Sequence, residues 1–187
     1  MIPIQASDRT RRRYVRNIIE VFESASSAQE VHGRTWYRSA HEVASMLAHG
    51  DVRTGAGLLA SLSPQTSWWL NVELASDAFE SGTPRGHVGD ALGKAAKILA
   101  GIDPEAVLPM ARKTGHFYRC MLDPSDAVAV CIDRHAHDLA VGRPFGDAQR
   151  GLSAKGRYNL LALCYWEAAQ QLGELPSTVG SYMGGVA

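Results

Sequence analysis

The chain lacks the features that define several common classes of protein. It has only three cysteines, Cys120, Cys131 and Cys164, which are odd in number, widely separated and set in apolar stretches. We therefore expect buried thiols, and neither a disulfide framework nor a cysteine-rich metal or iron–sulfur site. No apolar run approaches the roughly 20 residues of a membrane-spanning helix, and the first residues do not form a secretory signal. We expect a soluble, cytoplasmic protein without a membrane partner.

An excess of charge of either sign is also missing. The 19 basic and 19 acidic residues cancel, so the global electrostatic signature of a nucleic-acid-binding protein is absent. Any binding to DNA must come from a local basic surface. One cluster near the start could contact phosphates or could form a solvated helix face; it contains Arg9, Arg11, Arg12, Arg13 and Arg16.

Alternation of apolar and polar residues, the pattern of half-buried strands, is almost absent. Helical spacing predominates and predicts an all-α fold. The expected helices cover about residues 8–24, 34–49, 54–62, 67–80, 91–100, 103–108, 113–122, 133–141 and 153–172. A short apolar run at 128–132 has no partner strand, and we interpret it as a buried extended connector. We predict a single helical domain over residues 1–176 and a flexible tail over 177–187.

Two short segments carry residues that are suited to sugar chemistry. Lys113 begins one expected helix, and Asp133 immediately precedes another. A lysine can form a Schiff base with a sugar aldehyde, and a carboxylate can stabilise a sugar cation or activate a nucleophile. The ordinary alternatives are a solvated lysine and an aspartate that caps a helix. His135 and His137 lie two positions apart and cannot share a helix face, so we predict no metal site.

Three motifs, in their order along the chain, resemble those of the helix–hairpin–helix DNA glycosylase superfamily and, within it, the endonuclease III branch. Residues 62–66, Leu-Ser-Pro-Gln-Thr, stand where the family has Leu-Leu-Ser-Ala-Gln. Residues 108–115, Leu-Pro-Met-Ala-Arg-Lys-Thr-Gly, stand at the family's Leu-Pro-Gly-Val-Gly-Arg-Lys-Thr-Ala hairpin. Residues 132–135, Ile-Asp-Arg-His, match a Val-Asp-Thr-His segment whose aspartate is catalytic. The resemblance covers roughly residues 55–145, about half of the chain.

The chain departs from the family's pattern in two places. Met110 and Ala111 replace the hairpin glycines that let the backbone approach a DNA phosphate, and the segment is one residue shorter. The cysteine cluster that binds an iron–sulfur centre in endonuclease III is missing. The resemblance therefore implies a minimal, monomeric member without a cofactor.

The resemblance implies a two-lobed helical domain that binds double-stranded DNA in a cleft and acts on a base turned out of the stack. Asp133 would stabilise positive charge at C1′ or activate the attacking group, and Lys113 would attack C1′ and permit strand cleavage. Gln65 would fill the gap left in the duplex. The remaining residues that we expect to contact DNA are Trp68, Arg112, Thr114, Arg134 and His135.

Three functions remain open, because a fold does not fix a function. The first is a base-excision glycosylase, with or without lyase activity. The second is an enzyme of the same fold that modifies a base in place, as in a phage DNA-hypermodification pathway. The third is a non-catalytic DNA-binding or interaction module. Trp68 and Trp69 are adjacent and point to different sides of a helix, so we expect at least one of them in the core.

Overall fold

The computed structural model describes residues 6–154 and 156–181. Every regular element within these residues is a helix, which confirms the predicted all-α class. No described helix is long and apolar enough to cross a membrane. The helices are α1 (Asp8–Glu23), α2 (Ser27–Leu47), α3 (Val52–Leu62), α4 (Trp68–Ser81), α5 (Gly89–Leu99), α6 (Pro104–Val107), α7 (Lys113–Leu122), α8 (Arg134–Val141), α9 (Asp147–Arg150), α10 (Arg157–Leu172) and α11 (Pro176–Ser181).

Helix α2 begins at Ser27 and not near residue 34, as we predicted. The cause is a reciprocal cap at its start. The Ser26 N–H donates to Gln29 Oε1 at 2.9 Å, and the Gln29 N–H donates to Ser26 Oγ at 3.4 Å. This Ser-x-x-Gln capping box satisfies two backbone donors and is visible in the sequence.

Near the carboxyl end, two predictions are wrong. Helix α10 begins at Arg157 and not at residue 153, because Gly156 adopts a left-handed φ of 86° that interrupts helical geometry. The segment 177–181, predicted to be flexible, forms most of α11, where Val179 is buried. Ser181 Oγ also donates to the Gly33 carbonyl at 2.9 Å. The rest of the predicted tail, 182–187, lies outside the described residues.

The described chain divides into two compact units. Residues 6–36 and 125–181 form what we call the terminal unit, and residues 37–124 form the central unit. Helix α2 contributes to both, since the boundary falls between Trp36 and Tyr37. The terminal unit is therefore built from two distant parts of the sequence.

Helices α1, α8, α10 and α11 and the connector 128–132 supply the core of the terminal unit. Helix α1 packs against α8 and α10, and α10 packs against α11. The connector has no regular secondary structure, and most of it is buried, as predicted. The buried side chains of this core are Tyr14, Val15, Ile18, Val130, Ile132, Ala136, Ala140, Tyr158, Leu161, Cys164, Tyr165, Ala168, Ala169 and Val179.

In the central unit, α3 lies in the middle and packs against α4, α5, α6 and α7. Its residues 55–62 are all buried. Gly55 permits the close packing of α2 on α3, because a Cβ atom there would lie 2.0 Å from the Ala44 carbonyl oxygen. The central unit thus presents its remaining helices around one buried helix.

Candidate active site

Asp133 occupies the position immediately before α8 and caps that helix. Its backbone is extended, and its Oδ1 accepts the Ala136 N–H at 2.8 Å. The side chain is half-buried, and Oδ2 makes no hydrogen bond to any described residue. One carboxylate oxygen therefore fixes the side chain, and the other is available for chemistry.

Two buried tyrosines of α10 fix the backbone on either side of Asp133. The Tyr158 hydroxyl donates to the Val130 carbonyl at 2.7 Å and accepts the Ile132 N–H at 3.0 Å, which holds the connector. The Tyr165 hydroxyl donates to the Ala136 carbonyl at 2.9 Å, in the first turn of α8. The two tyrosines lie seven positions apart and so share one face of α10. Burial raises the pKa of Tyr165, which keeps its hydroxyl protonated as a donor.

A buried histidine follows one turn after Asp133. His137 is 0% exposed, and its Nδ1 lies 2.7 Å from Asp138 Oδ1. Burial lowers the pKa of His137, so the ring is neutral at pH 7 and Nδ1 is the donor to the carboxylate. Its Nε2 is buried and has no hydrogen-bond partner among the residues that the structure describes. The ring packs edge-on against Phe145, with centroids 5.5 Å apart.

Asp138 links α8 to α9 through Arg150. Arg150 donates to both carboxylate oxygens, from Nε at 2.9 Å and from Nη2 at 2.6 Å, and it also pairs with Asp147. Burial opposes ionisation of Asp138, but the hydrogen bonds from Arg150, His137 and the Phe145 N–H outweigh it and lower its pKa to about 2. The network stabilises the end of α8 that lies away from Asp133.

The two residues that follow Asp133 are exposed. Arg134 Nε lies 3.1 Å from His135 Nε2, so these side chains contact each other. His135 is exposed and His137 is buried, in agreement with the expectation that residues two positions apart do not share a helix face. Among the described residues, no group of three or more histidine, cysteine or acidic side chains could hold a metal ion.

The second predicted catalytic residue, Lys113, is the first residue of α7 and is exposed. Arg112 precedes it with extended backbone, and no side chain caps this helix start. Arg112 and Thr114 are half-buried. The turn that leads into α7 is tight, because a Cβ atom on Gly115 would lie 2.3 Å from Met110 Cα. Glycine is therefore required at position 115, near the start of α7. Met110 and Ala111 stand where the helix–hairpin–helix glycosylases have their glycines.

Gln65 lies at the tip of the turn between α3 and α4. It is exposed and has a left-handed φ of 63°, a conformation that costs a non-glycine residue about 1 kcal/mol or more. Neighbouring groups hold this turn: Thr66 Oγ1 donates to the Leu62 carbonyl at 2.9 Å, and His87 Nε2 lies 2.8 Å from the Pro64 carbonyl. The Pro64 carbonyl can only accept, so His87 Nε2 carries the proton.

The two tryptophans at the start of α4 differ in environment. Trp68 is half-buried, and its ring lies edge-on to Phe117 of α7 at a centroid distance of 6.5 Å. Trp69 is 79% exposed. Neither tryptophan is fully buried, so the expectation that at least one lies in the core is wrong. Trp69 presents the larger free aromatic surface.

The structure brings together some of the predicted site residues. Asp133, Arg134 and His135 lie in the terminal unit, at the start of α8. The central unit holds the others, namely Gln65, Trp68, Arg112, Lys113 and Thr114. Within the central unit, the Trp68–Phe117 contact joins the helix that follows Gln65 to the helix that begins with Lys113.

Sequence reasoning missed the residues that support Asp133. The tyrosines of α10 carry a readable signal, because a tyrosine in an apolar helical stripe needs a partner for its hydroxyl. The pairing of Asp138 with Arg150 carries none, since a loop separates them. The cysteines are free thiols, with Cys120 and Cys164 buried and Cys131 only half-buried. Burial raises the pKa of Cys164 to about 12, so it is unreactive.

These features define an all-helical protein in which an aspartate is held rigidly at a helix start. The chain belongs to the family described as "Family of unknown function (DUF7178)", which it matches over residues 1–183. No curated protein and no solved structure matches the chain. Any function must therefore be argued from the residues themselves.

Proposed function

We propose that this protein is a DNA N-glycosylase that acts on a modified or damaged base turned out of the duplex. The observation that carries the proposal is the state of Asp133. Its carboxylate is half-buried, one oxygen is fixed by the Ala136 N–H, and the other is open. A charge that is positioned before the reaction begins does not have to reorganise in the transition state, and such preorganisation is a main source of catalysis.

The tyrosine pair strengthens this proposal. A helix cap alone needs only the aspartate and the first-turn N–H groups. Here Tyr158 and Tyr165 also fix the residues before and after Asp133 through three hydrogen bonds. Supporting groups that lock the backbone of a reactive side chain are what a precise site requires.

In the proposed reaction, the Asp133 carboxylate faces the sugar of the extruded nucleotide. As the bond between C1′ and the base nitrogen breaks, its electron pair leaves with the base, and positive charge develops on the sugar. Asp133 stabilises that charge, or accepts a proton from the water that attacks C1′. The water oxygen bonds to C1′, its proton passes to Asp133 or to solvent, and the departing base takes up a proton from solvent. The products are the free base and an abasic sugar. Lys113, if it attacks C1′ instead of water, would make the enzyme a lyase as well.

Features of the central unit support DNA as the partner. The start of α7 has no side-chain cap, and Arg112, Lys113 and Thr114 surround it, an arrangement that suits a phosphate group. Gln65 projects from a strained turn that neighbouring hydrogen bonds hold in place, as a side chain inserted into a duplex requires. Trp69 offers an exposed ring on which a base can stack.

A base-release assay tests the proposal. The protein is incubated with separate duplexes that carry thymine glycol, uracil or hydroxymethyluracil, and free bases are measured by mass spectrometry. We expect release from at least one duplex, and we expect Asp133→Asn to abolish it. A nucleoside of altered mass without free base would indicate modification in place and overturn the glycosylase proposal. Binding without any chemical change would indicate a non-catalytic module.

A further inference from the structure

Four arginines form a single face of α1, which we call the arginine stripe: Arg9, Arg12, Arg13 and Arg16. Their spacing of i, i+3, i+4 and i+7 places them together on a helix. All four are exposed. The opposite face of the helix is buried in the core through Tyr14, Val15 and Ile18. The fifth arginine of the cluster, Arg11, points elsewhere and pairs with Glu167 at 3.4 Å.

The stripe has little internal neutralisation. Arg16 pairs with Glu20 at 3.5 Å, but both side chains are about two-thirds exposed, at 66% and 65%, and such a pair contributes little. Arg13 lies over the ring of Tyr14 at 5.5 Å. Within the described part of the chain, neither Arg9 nor Arg12 nor Arg13 forms an ion pair. Most of the positive charge is therefore open to a partner.

The position of the stripe on the helix is unfavourable for folding. The amino terminus of a helix carries partial positive charge, which is unfavourable for a cation in the first turn such as Arg9. The stripe occupies the first turns of α1, whereas the last turn has no basic residue and contains Glu20 and Glu23. Folding alone would favour the reverse order. The same positive end and the guanidinium groups attract an anion together.

Arg143, which lies outside α1, adds one more positive charge to the four of the arginine stripe. It follows α8, and its guanidinium lies over the Phe145 ring at 4.6 Å. Gly142, the residue before Arg143, lies beside α1, because a Cβ atom there would lie 2.9 Å from Asn17 Nδ2. Helix α1 is also fixed to α8, because Asn17 Nδ2 donates to the Ala140 carbonyl at 3.0 Å. The stripe thus shares a folded unit with Asp133.

We propose that the arginine stripe and Arg143 form the surface that binds the phosphate backbone of duplex DNA. From Arg9 to Arg16 the helix rises about 10 Å, which corresponds to roughly three nucleotides at 3.4 Å each. Arginine suits this role because its planar fork binds phosphate oxygens through two hydrogen bonds. The identity of the polyanion rests on the proposed function, whereas the surface itself follows from the charges on α1.

The test measures binding without chemistry. Using the Asp133→Asn protein, the dissociation constant for an unmodified 20-base-pair duplex is measured against KCl concentration. We expect Arg9→Gln/Arg12→Gln/Arg13→Gln to weaken binding by about 10- to 100-fold and to reduce the salt slope by about 2 to 3. The matched control, Arg38→Gln/Arg85→Gln/Lys97→Gln, removes three exposed charges from the central unit and should change binding by less than about threefold.

Variants that should strengthen DNA binding test whether the effect follows the charge of the stripe. Glu20→Gln/Glu23→Gln removes acidic groups beside the stripe and should tighten binding and steepen the salt slope. Replacing Arg9, Arg12 and Arg13 with lysine instead of glutamine should keep the salt slope of the parent protein. Thermal unfolding of every variant verifies that α1 remains folded. If the glutamine triple variant binds like its control, or if the stripe binds phosphatidylserine vesicles and not duplex DNA, the inference is overturned.

The outcomes separate this inference from the proposed function. In the protein that retains Asp133, loss of the stripe should raise the protein concentration needed for half-maximal base release and leave the single-turnover rate at saturation unchanged. Release that does not depend on the stripe would overturn only the inference. Stripe-dependent DNA binding without any base release would overturn only the glycosylase proposal.

Discussion

The starts of α8 and α7 carry the two predicted catalytic residues, and they differ in capping and in burial. Asp133 caps α8, is half-buried, and lies between backbone segments that two buried tyrosines hold. Lys113 begins α7, is exposed, and follows Arg112, whose side chain does not cap the helix. The first helix start is a preorganised site. The second is a basic helix start that no side chain caps.

Two motifs that match a family equally well in the sequence can therefore differ in how firmly the structure holds their key residue. Both residues resemble catalytic positions of one family, yet only Asp133 has neighbours that restrict its geometry. In the proposed function, base release therefore depends on Asp133, and the proposed lyase role of Lys113 can be tested separately.

The largest effect should come from Asp133. Asparagine caps a helix about as well as aspartate, so Asp133→Asn should leave the free energy of unfolding within about 0.5 kcal/mol. It removes the charge, and base release should fall by about 10²- to 10⁴-fold. Asp133→Ala should lose the same activity and about 1 kcal/mol of stability besides. Urea unfolding and single-turnover assays measure the two effects. Equal activity of Asp133→Asn and the original protein would exclude a catalytic carboxylate here.

The next largest effect should be a loss of stability when the hydroxyl group of Tyr158 or Tyr165 is removed. Tyr158→Phe leaves the buried Ile132 N–H without its acceptor and the Val130 carbonyl without its hydroxyl donor, which should cost about 1–3 kcal/mol. Tyr165→Phe should cost less, about 1 kcal/mol, because the Ala136 carbonyl lies within a helix and has a backbone partner available. If positioning of Asp133 matters, base release should fall in both variants under conditions where they remain folded. Unchanged release in folded Tyr158→Phe would mean that this tyrosine acts only in the core.

Acid should destabilise the α8 region in two steps. The folded pKa of His137 lies below its usual 6.5, so the unfolded chain binds more protons and stability falls as the pH drops below about 6.5. Asp138, with a folded pKa of about 2 against 3.8, contributes stability that is lost as the pH falls from about 4 towards 2. Chemical denaturation across this range measures both steps, and His137→Gln should remove the first. A stability that stays flat between pH 7 and 5 would contradict the neutral, buried His137.

The smallest effect on stability should come from Lys113. An exposed residue at an uncapped helix start can be replaced at little cost, so Lys113→Gln should change the free energy of unfolding by less than about 0.5 kcal/mol. If Lys113 forms the Schiff base, borohydride trapping on damaged DNA should disappear while base release persists. Trapping that survives in Lys113→Gln would remove this lysine from the mechanism. Lys97→Gln, at another exposed helix position, is the matched control.

Local signals in the sequence were sufficient for much of the fold. The apolar spacing of α1 and the cap of α8 each depend on a few neighbouring residues, and the sequence predicts both near their observed places. The start of α2 was missed although its Ser26–Gln29 box is local and readable. Helix α11 has no such local signal in the sequence. Its residues are small and polar, and they are ordered because Val179 packs in the core and Ser181 bonds to Gly33.

The sequence by itself determined the helical class, the capping role of Asp133 and the single-sided stripe of arginines on α1, because these depend on spacing along one helix. Only the tertiary structure decided which candidate residue is supported. Tyr158 and Tyr165 reach Val130, Ile132 and Ala136 across the core, and Arg150 reaches Asp138 across a loop. Such contacts join residues far apart in the chain, and no local pattern encodes them, because their energy depends on which helices pack together.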